Sequence, residues 1–210
     1  MIYSTVIAKY KEDLYWTSNF RDLSKFVIYD KSDKPIENSI VTRNVGREAE
    51  TYIRYIVDNY HNLPEKIVFL QGNPFNTNLP KNVSVNNFED YLLGKIKTCN
   101  ENEPIVPIIY SGKYDQRISY YKPIKSQIEQ LFQGYKYKEH LVFIKASEFV
   151  VHKSLILNKP FEFWKRILNL RWKNIPKRKS GRVEPTLYKL PNAWMFEYIW
   201  YTLFLNSVYL

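Results

Sequence analysis

The fold is decided by residues 44–78, which read NVGREAETYIRYIVDNYHNLPEKIVFLQGNPFNTN. The first half predicts a helix with one apolar face, and the residues on that face are Ala49, Tyr52, Ile53, Ile56, Val57 and Tyr60. The second half contains an apolar strand, 66–70, followed by a polar stretch without charge, 71–78. Because open α/β sheets bind ligands at the carboxyl ends of their strands, this polar stretch predicts a ligand site.

The start of the predicted helix carries the features of an anion site. Gly46 and Arg47 stand there, so free backbone N–H groups and a guanidinium group can face a phosphate. An arginine at a helix N-terminus opposes the helix dipole, and an anionic ligand gives a reason for its position. The alternative is that Arg47 and Glu48 form an ordinary pair at a helix start. With the polar stretch, the helix start suggests a site for a phosphorylated ligand.

The order of the predicted elements indicates an α/β fold, with a central, mostly parallel mixed sheet flanked by helices. Strands are predicted at Tyr3–Tyr10, Lys25–Asp30, Lys66–Leu70, Ile105–Tyr110 and Leu141–Val151. Helices are predicted at Glu12–Phe20, Val45–Tyr60, Phe88–Thr98, Ile124–Phe132, Phe161–Leu168 and Asn192–Leu205. With 210 residues, 45% of them apolar, we expect one domain over 1–210, standing alone or as the N-terminal part of a longer chain.

Most of the net charge of +10 comes from one segment, which runs from Lys165 to Arg182 and contains eight cations and no acid. With Trp164 at its edge and Trp172 within it, this segment can hold nucleic-acid phosphates, anionic lipid or a nucleotide diphosphate. A solvated loop is the alternative. The rest of the chain is nearly neutral, which argues against a protein devoted to DNA.

Three features bear on the compartment. The apolar run 194–205 is short for a bilayer core and contains Glu197, so we expect a packed terminal helix, with an interfacial helix as the alternative. A single cysteine, Cys99, excludes an intramolecular disulfide. The first residues are typical of a strand rather than a signal peptide. We therefore expect a cytoplasmic protein.

Several common enzyme motifs are missing from the sequence. It contains no GxGxxG, GxxxxGK[ST], GxSxG or HExxH, so dehydrogenase, P-loop kinase, serine hydrolase and zinc protease functions lose their usual support. The histidines His61, His140 and His152 are widely spaced. Of these, His152 is the strongest candidate because it follows an apolar run and is predicted at a strand end.

Three motifs resemble an uncharacterised glycosyltransferase-like family: AKYKEDLYW at 8–16, NVGREA at 44–49 and FLQGNP at 69–74. A weaker similarity at 148–160 extends the match, and the whole chain resembles the N-terminal domain of chlorella-virus glycosyltransferases. The resemblance implies an A-type glycosyltransferase fold, in which a nucleotide-sugar lies across the carboxyl ends of the sheet and a divalent cation bridges its diphosphate. It also implies a viral protein acting in the host cytoplasm.

The resemblance implies roles for individual residues. Ala8 to Lys11 and Asp30 would flank the base and ribose, and Arg47 would approach the diphosphate. The full set of implied donor-binding residues is Ala8, Tyr10, Lys11, Asp30, Asn44, Arg47, Gln71, Asn73, Asn76 and Asn78. Ordinary turn formation is the alternative for Asp30 and Asn73.

One departure from the family pattern concerns the metal. Such enzymes commonly place an Asp-x-Asp pair after the central strand, whereas the loop here offers neutral amides. We expect Mn²⁺ or Mg²⁺ to be held largely by the diphosphate, with amide oxygens, His152 or a distant carboxylate completing its shell, and we name Asn73 and His152 as the protein ligands. Candidates for the catalytic base are Glu48, Asp115 and Glu148, each of which is alternatively a salt-bridge or surface acid.

The expected activity is transfer of a hexose from a UDP-sugar to a glycan or glycoprotein acceptor. The competing interpretation is a basic module that binds nucleic acid or a membrane surface through the segment 165–182. We do not expect nucleic acid as a partner, and peripheral membrane contact stays open.

Overall fold

The computed structural model describes residues 2–76, 79–109, 129–134, 136–137, 147–170, 193–205 and 208–209. Its strands are β1 (Tyr3–Lys9), β2 (Phe26–Asp30), β3 (Ile40–Val41), β4 (Lys66–Gln71), β5 (Ile105–Pro107), β6 (Lys136–Tyr137), β7 (Phe149–His152) and β8 (Val208–Tyr209). Its α-helices are α1 (Arg47–Asn59), α2 (Phe88–Thr98), α3 (Lys153–Leu157), α4 (Phe161–Leu168) and α5 (Ala193–Leu205). Short 3₁₀ helices occupy Tyr15–Asn19, Leu23–Lys25, Tyr60–Asn62, Pro74–Asn76 and Val85–Asn87.

Six of these strands form one mixed sheet in the order β3-β2-β1-β4-β7-β5. The first four are parallel, whereas β7 runs antiparallel to both β4 and β5. The chain leaves β1 towards β2 and β3, then returns past β1 to form β4. The carboxyl ends of β1 and β4 therefore lie at a topological switch point, the place where open α/β sheets bind ligands.

Helices cover both faces of this sheet, which confirms the predicted α/β class. On one face α1 packs against the sheet, α4 and α5, while α2 and the segment around Trp16 cover the other. Strand β4 is buried on both faces. Phe69 lies in the first core, which is on the side of α1, and Leu70 lies in the second core, which is on the side of α2 and Trp16. This burial explains why the strand is a continuous apolar run instead of an alternating one.

The terminal helix α5 packs into the first core. Phe196, Ile199, Trp200 and Phe204 are almost fully buried against α1 and the sheet. Within the described ranges, no helix combines the length and apolarity needed to cross a membrane.

Several predicted elements need correction. The predicted helix Glu12–Phe20 is a short 3₁₀ helix over Tyr15–Asn19, because the Glu12 side chain accepts a hydrogen bond from the backbone N–H of Tyr10 and the Trp16 indole donates to the carbonyl of Gly72, directly after β4. Strand β3 and helix α3 were not predicted. The predicted strand Ile105–Tyr110 ends at Pro107. Most of the predicted helix Ile124–Phe132 and the first six residues of the predicted strand Leu141–Val151 lie outside the described residues.

Candidate functional site

A pocket of ≈ 160 Å³ opens at the carboxyl ends of β1, β2 and β4, against the N-terminus of α1. Its lining residues are mostly polar or charged: Ala8, Lys9, Tyr10, Glu12, Lys31, Asn44, Arg47, Glu48 and Gln71. Ala8 and Gln71 are register partners on β1 and β4, so they form the floor at the switch point.

The structure brings seven of the predicted site residues together around this pocket. They are Ala8, Lys9, Tyr10, Asn44, Arg47, Glu48 and Gln71. Glu12 and Lys31 also line it, although neither was predicted from the sequence. Their signals were present, since Glu12 lies in the first motif and Lys31 directly follows the end of β2.

Three other predicted donor-binding residues that the structure describes, Lys11, Asn73 and Asn76, do not line the pocket. Lys11 is exposed, with its ammonium group 5.1 Å from the centre of the Tyr10 ring. The Asn73 side chain accepts a hydrogen bond of 3.0 Å from the backbone N–H of Phe75, which is ordinary turn chemistry. Asn76 ends the 3₁₀ helix that follows. Asn78 and the candidate base Asp115 lie outside the described residues.

Asp30 is also a structural residue rather than a lining one. Its carboxylate is fully buried and accepts hydrogen bonds from the backbone N–H groups of Ser32 (2.8 Å) and Ile36 (3.1 Å). Its Oδ2 lies 2.8 Å from the Nζ of Lys9, its register partner on β1. Burial raises the pKa of Asp30, but these hydrogen bonds outweigh it and leave the pKa below its ordinary value.

The two residues predicted as metal ligands lie at opposite ends of the neighbouring strands β4 and β7. His152 pairs with Lys66 at the amino end of β4, whereas Asn73 follows its carboxyl end. A strand rises about 3.3 Å per residue, so the six residues of β4 hold them some 17 Å apart. The His152 ring instead caps α3, accepting a hydrogen bond of 3.3 Å from the backbone N–H of Ser154. One ion cannot bind both residues, which corrects the sequence-based pairing.

The candidate base Glu148 lies near the site but outside the pocket. Phe149 pairs with Phe69, so the preceding Glu148 lies beside the carboxyl end of β4. Its side chain is fully buried and accepts a hydrogen bond of 2.7 Å from the hydroxyl of Ser147. Without exposure to the pocket, Glu148 lacks the access that a base needs to take a proton from an acceptor.

Lys31 fixes the start of α1 to the end of β2. Its Nζ donates to the carbonyls of Val45 (2.7 Å) and Arg47 (2.6 Å) and lies 2.7 Å from Oε2 of Glu50. Burial lowers the pKa of Lys31, and the nearby Glu50 carboxylate opposes that effect. This buried lysine therefore holds the pocket wall in place rather than presenting a free charge.

Arg47 stands at the mouth of the pocket in an unusual backbone conformation. Both Gly46 (φ 65°) and Arg47 (φ 51°) are left-handed, a region that non-glycine residues occupy at a cost. The side chain is 44% exposed, with Nε 3.5 Å from Oε2 of Glu48. The guanidinium group is thus reachable by a ligand, while Glu48 is buried behind it.

Glu12 is held by contacts with the residues that follow β1 and β4. Its Oε2 accepts a hydrogen bond of 2.6 Å from the backbone N–H of Tyr10. It also packs against Gly72, where a Cβ atom would lie 2.8 Å from Oε2. Gly72 is itself held, because its N–H donates to the carbonyl of Ala8 and its carbonyl accepts from the Trp16 indole, each at 2.9 Å.

The donor set of the pocket suits a hard cation. Glu12 and Glu48 supply carboxylate oxygens, and Asn44 and Gln71 supply amide oxygens, the ligands that Mg²⁺ and Mn²⁺ prefer. Within the described ranges, however, no three acidic, histidine or cysteine side chains are grouped so that they could hold a metal. The residues therefore fit a cation that arrives with anionic ligands of its own, such as a diphosphate.

One comparison with known proteins found a match, in the part of the chain that carries this pocket. Residues 5–92 match the model of a family described as "Protein of unknown function (DUF3431)". Neither the comparison with curated proteins nor that with solved structures found a significant match. The family similarity spans less than half of the chain, yet it includes β1 from Thr5 onwards, β2, α1, β4 and the pocket-lining residues that the structure describes.

Proposed function

We propose that this protein is an A-type glycosyltransferase, which moves a hexose from a UDP-sugar to a glycan or glycoprotein acceptor with Mn²⁺ or Mg²⁺. The observation that carries the proposal is the polar pocket at the switch point between β1 and β4, closed on one side by the N-terminus of α1. Switch points bind nucleotides in open α/β sheets, and helix N-termini bind their phosphates.

The charges around the pocket favour a diphosphate that binds together with a cation. Lys9 and Lys31 are already paired with the buried acids Asp30 and Glu50. Glu48 is paired with Arg47, but the carboxylate of Glu12 would repel a bare diphosphate in the pocket. A divalent cation between them removes that repulsion, so the pocket is better suited to a metal–nucleotide complex than to a simple anion.

In the proposed reaction an acceptor hydroxyl oxygen forms a bond to the anomeric carbon and passes its proton to a general base, while the bond between the anomeric carbon and the diphosphate oxygen breaks. Negative charge then develops on the leaving group. The bound cation would neutralise part of this charge as a Lewis acid. Arg47 and the backbone N–H groups at the start of α1 are placed to stabilise the rest. Gln71, at the end of β4, would contact the donor sugar.

The competing function uses the basic segment 165–182, of which the structure describes the first six residues. Of the two described cations, Arg166 donates to the carbonyl of Leu131, whereas Lys165 is exposed and lies 3.6 Å from the exposed Glu162. Support for a polyanion-binding module therefore rests mainly on the sequence of 171–182.

A thermal-shift screen with UDP, GDP and CMP, each with and without Mn²⁺, tests the proposal. UDP with Mn²⁺ should give the largest rise in Tm, because a ligand at about 100 times its Kd adds about 2.7 kcal/mol of stability. A variant with Lys177, Arg178 and Lys179 all changed to Ala is the matched control and should show the same rise. No shift with any nucleotide, together with salt-sensitive binding of DNA or RNA that this variant loses, would establish the competing function.

A further inference from the structure

The charged side chains that line the pocket are paired, with one exception among the described residues. Lys9 pairs with Asp30 at 2.8 Å, Lys31 with Glu50 at 2.7 Å, and Arg47 with Glu48 at 3.5 Å. Glu12 makes no ion pair with any described residue. It therefore leaves one uncompensated carboxylate in the pocket.

This carboxylate is held in one position. Its Oε2 is occupied by the N–H of Tyr10, while Oε1 accepts no hydrogen bond from the described part of the chain. Gly72 blocks movement on one side, and the Trp16 indole fixes Gly72. A partly buried, immobilised carboxylate with a free oxygen is a preorganised ligand, because little side-chain entropy remains to be lost when it binds.

The position of Glu12 relates it to the diphosphate. It lies against Gly72, one residue beyond Gln71, and shares the pocket with Arg47. A carboxylate in that place opposes binding of a diphosphate unless a cation lies between the two. Carboxylate and phosphate oxygens together form the usual shell of Mg²⁺ and Mn²⁺.

We infer that Glu12 is the carboxylate ligand of a divalent cation that enters the pocket with a nucleoside diphosphate. The inference rests on the proposed function, and it replaces the sequence-based pair Asn73 and His152. With one protein carboxylate bound directly, the cation needs the diphosphate to complete its shell. Binding of the metal and of the nucleotide should therefore be coupled.

The experiment compares Glu12→Gln with the wild type. Glutamine keeps the size of the side chain and an oxygen for the Tyr10 N–H, but it removes the charge. Calorimetric titration with UDP, with and without Mn²⁺, gives the factor by which Mn²⁺ raises UDP affinity, and electron paramagnetic resonance of free Mn²⁺ counts the metal in the complex. Loss of a metal's supporting residue commonly lowers its affinity about 10–100-fold, so we expect the Mn²⁺ factor to fall by at least about tenfold.

Asp13→Asn is the matched control, since it removes the same charge one residue away. Asp13 caps a turn through a hydrogen bond of 2.9 Å from the N–H of Tyr15, which asparagine can also accept. This variant should keep the wild-type Mn²⁺ factor. In both variants the affinity for UDP without metal should stay equal to that of the wild type or rise slightly.

The outcomes distinguish failure of the proposed function from failure of the Glu12 inference. If the wild type binds no UDP under any condition, the proposed function fails. If the wild type shows Mn²⁺-coupled UDP binding and Glu12→Gln retains the full factor, the Glu12 inference alone is overturned. It is also overturned if Glu12→Gln weakens UDP equally with and without Mn²⁺, because that result assigns Glu12 to a hydroxyl group of the nucleotide.

Discussion

The indole N–H of Trp16 donates a buried hydrogen bond of 2.9 Å to the carbonyl of Gly72, 56 residues away in the sequence. This bond joins the motif at 8–16 to the motif at 69–74 across the ends of β1 and β4. Around it the Trp16 ring makes edge contacts with Phe20, Phe75 and Phe88. The two motifs therefore form one structural unit. Within it the Trp16 bond holds Gly72 in place against the side chain of Glu12.

Trp16→Phe should destabilise the fold and weaken metal-coupled nucleotide binding. The change leaves the buried Gly72 carbonyl without its donor, which costs about 1–3 kcal/mol, and it frees the backbone that positions Glu12. Urea unfolding measures the first effect, and UDP titration with Mn²⁺ measures the second.

Trp164→Phe provides the control for that prediction. Trp164 is also fully buried and donates through its indole N–H, to the carbonyl of Ile156 at 3.0 Å, but it does not line the pocket. Its loss should reduce stability by a similar amount with UDP affinity unchanged. Equal effects of both variants on UDP affinity would contradict the role assigned to Trp16.

Gly72→Ala should reproduce the binding defect of Glu12→Gln without a change of charge. The added Cβ would lie 2.8 Å from Oε2 and 3.0 Å from the Cβ of Glu12, so the carboxylate must move. The measured quantity is again the factor by which Mn²⁺ raises UDP affinity, and we expect it to fall.

Gly94→Ala is the companion variant in α2, where a new Cβ meets nothing within 4 Å. Alanine in a helix interior stabilises by about 0.5–1 kcal/mol over glycine, so this variant should be slightly more stable and bind normally. A Gly72→Ala protein with an unaltered Mn²⁺ factor would show that Glu12 is not held by this contact.

Local sequence patterns were enough to predict the elements that lie along one continuous segment. Helix α2 has the predicted bounds, and β4 extends one residue further than predicted, because their apolar spacing directly reflects burial. The position of the pocket was also predicted from the sequence. Gly46 and Arg47 mark the start of α1, the polar stretch marks the carboxyl end of β4, and these two ends meet at the pocket. Seven of the nine described lining residues were predicted on that basis and from the family resemblance.

Features set by long-range contacts could not be predicted in this way. No local sequence pattern shows that β7 runs antiparallel to β4. This direction places His152 beside the amino end of β4, at the opposite end of the strands from the pocket. Likewise Trp16 and Phe20 have helical spacing, but the bond to Gly72 fixes a short 3₁₀ helix there. Glu12 was not predicted as a site residue, because its fixed position depends on a contact with Gly72, which is distant in the sequence.

Lys159 predicts a pH dependence of stability. Its side chain is fully buried, with Nζ 2.9 Å from the carbonyl of Phe204 and 2.7 Å from Oδ1 of Asn158, so it joins α3 to α5. Burial lowers its pKa from 10.5 to about 7. Between these values the unfolded chain binds the proton that the folded chain lacks, so this residue makes stability rise with pH across that window, by about 1.4 kcal/mol per pH unit at most.

Lys159→Met should remove this contribution. The difference in unfolding free energy between wild type and variant, measured by urea unfolding from about pH 7 to about pH 10, should grow in favour of the wild type as pH rises. Lys97→Met removes an exposed lysine of α2 and should leave the wild-type pH dependence intact. Parallel curves for wild type and Lys159→Met would show that Lys159 keeps an ordinary pKa.

Arg47 allows its charge and its backbone to be tested separately. Arg47→Ala and Arg47→Gly both remove the guanidinium group, so both should weaken UDP binding by about 1.5–3 kcal/mol, the range for a hydrogen bond to a charged group. Only glycine relieves the left-handed conformation at φ 51°, and it should make Arg47→Gly more stable than Arg47→Ala by about 1 kcal/mol. Titration with UDP and Mn²⁺ and urea unfolding measure the two quantities on the same samples. If both variants fold and bind UDP as tightly as the wild type, Arg47 does not contact the diphosphate, and the left-handed residue at the start of α1 serves only to shape the pocket wall.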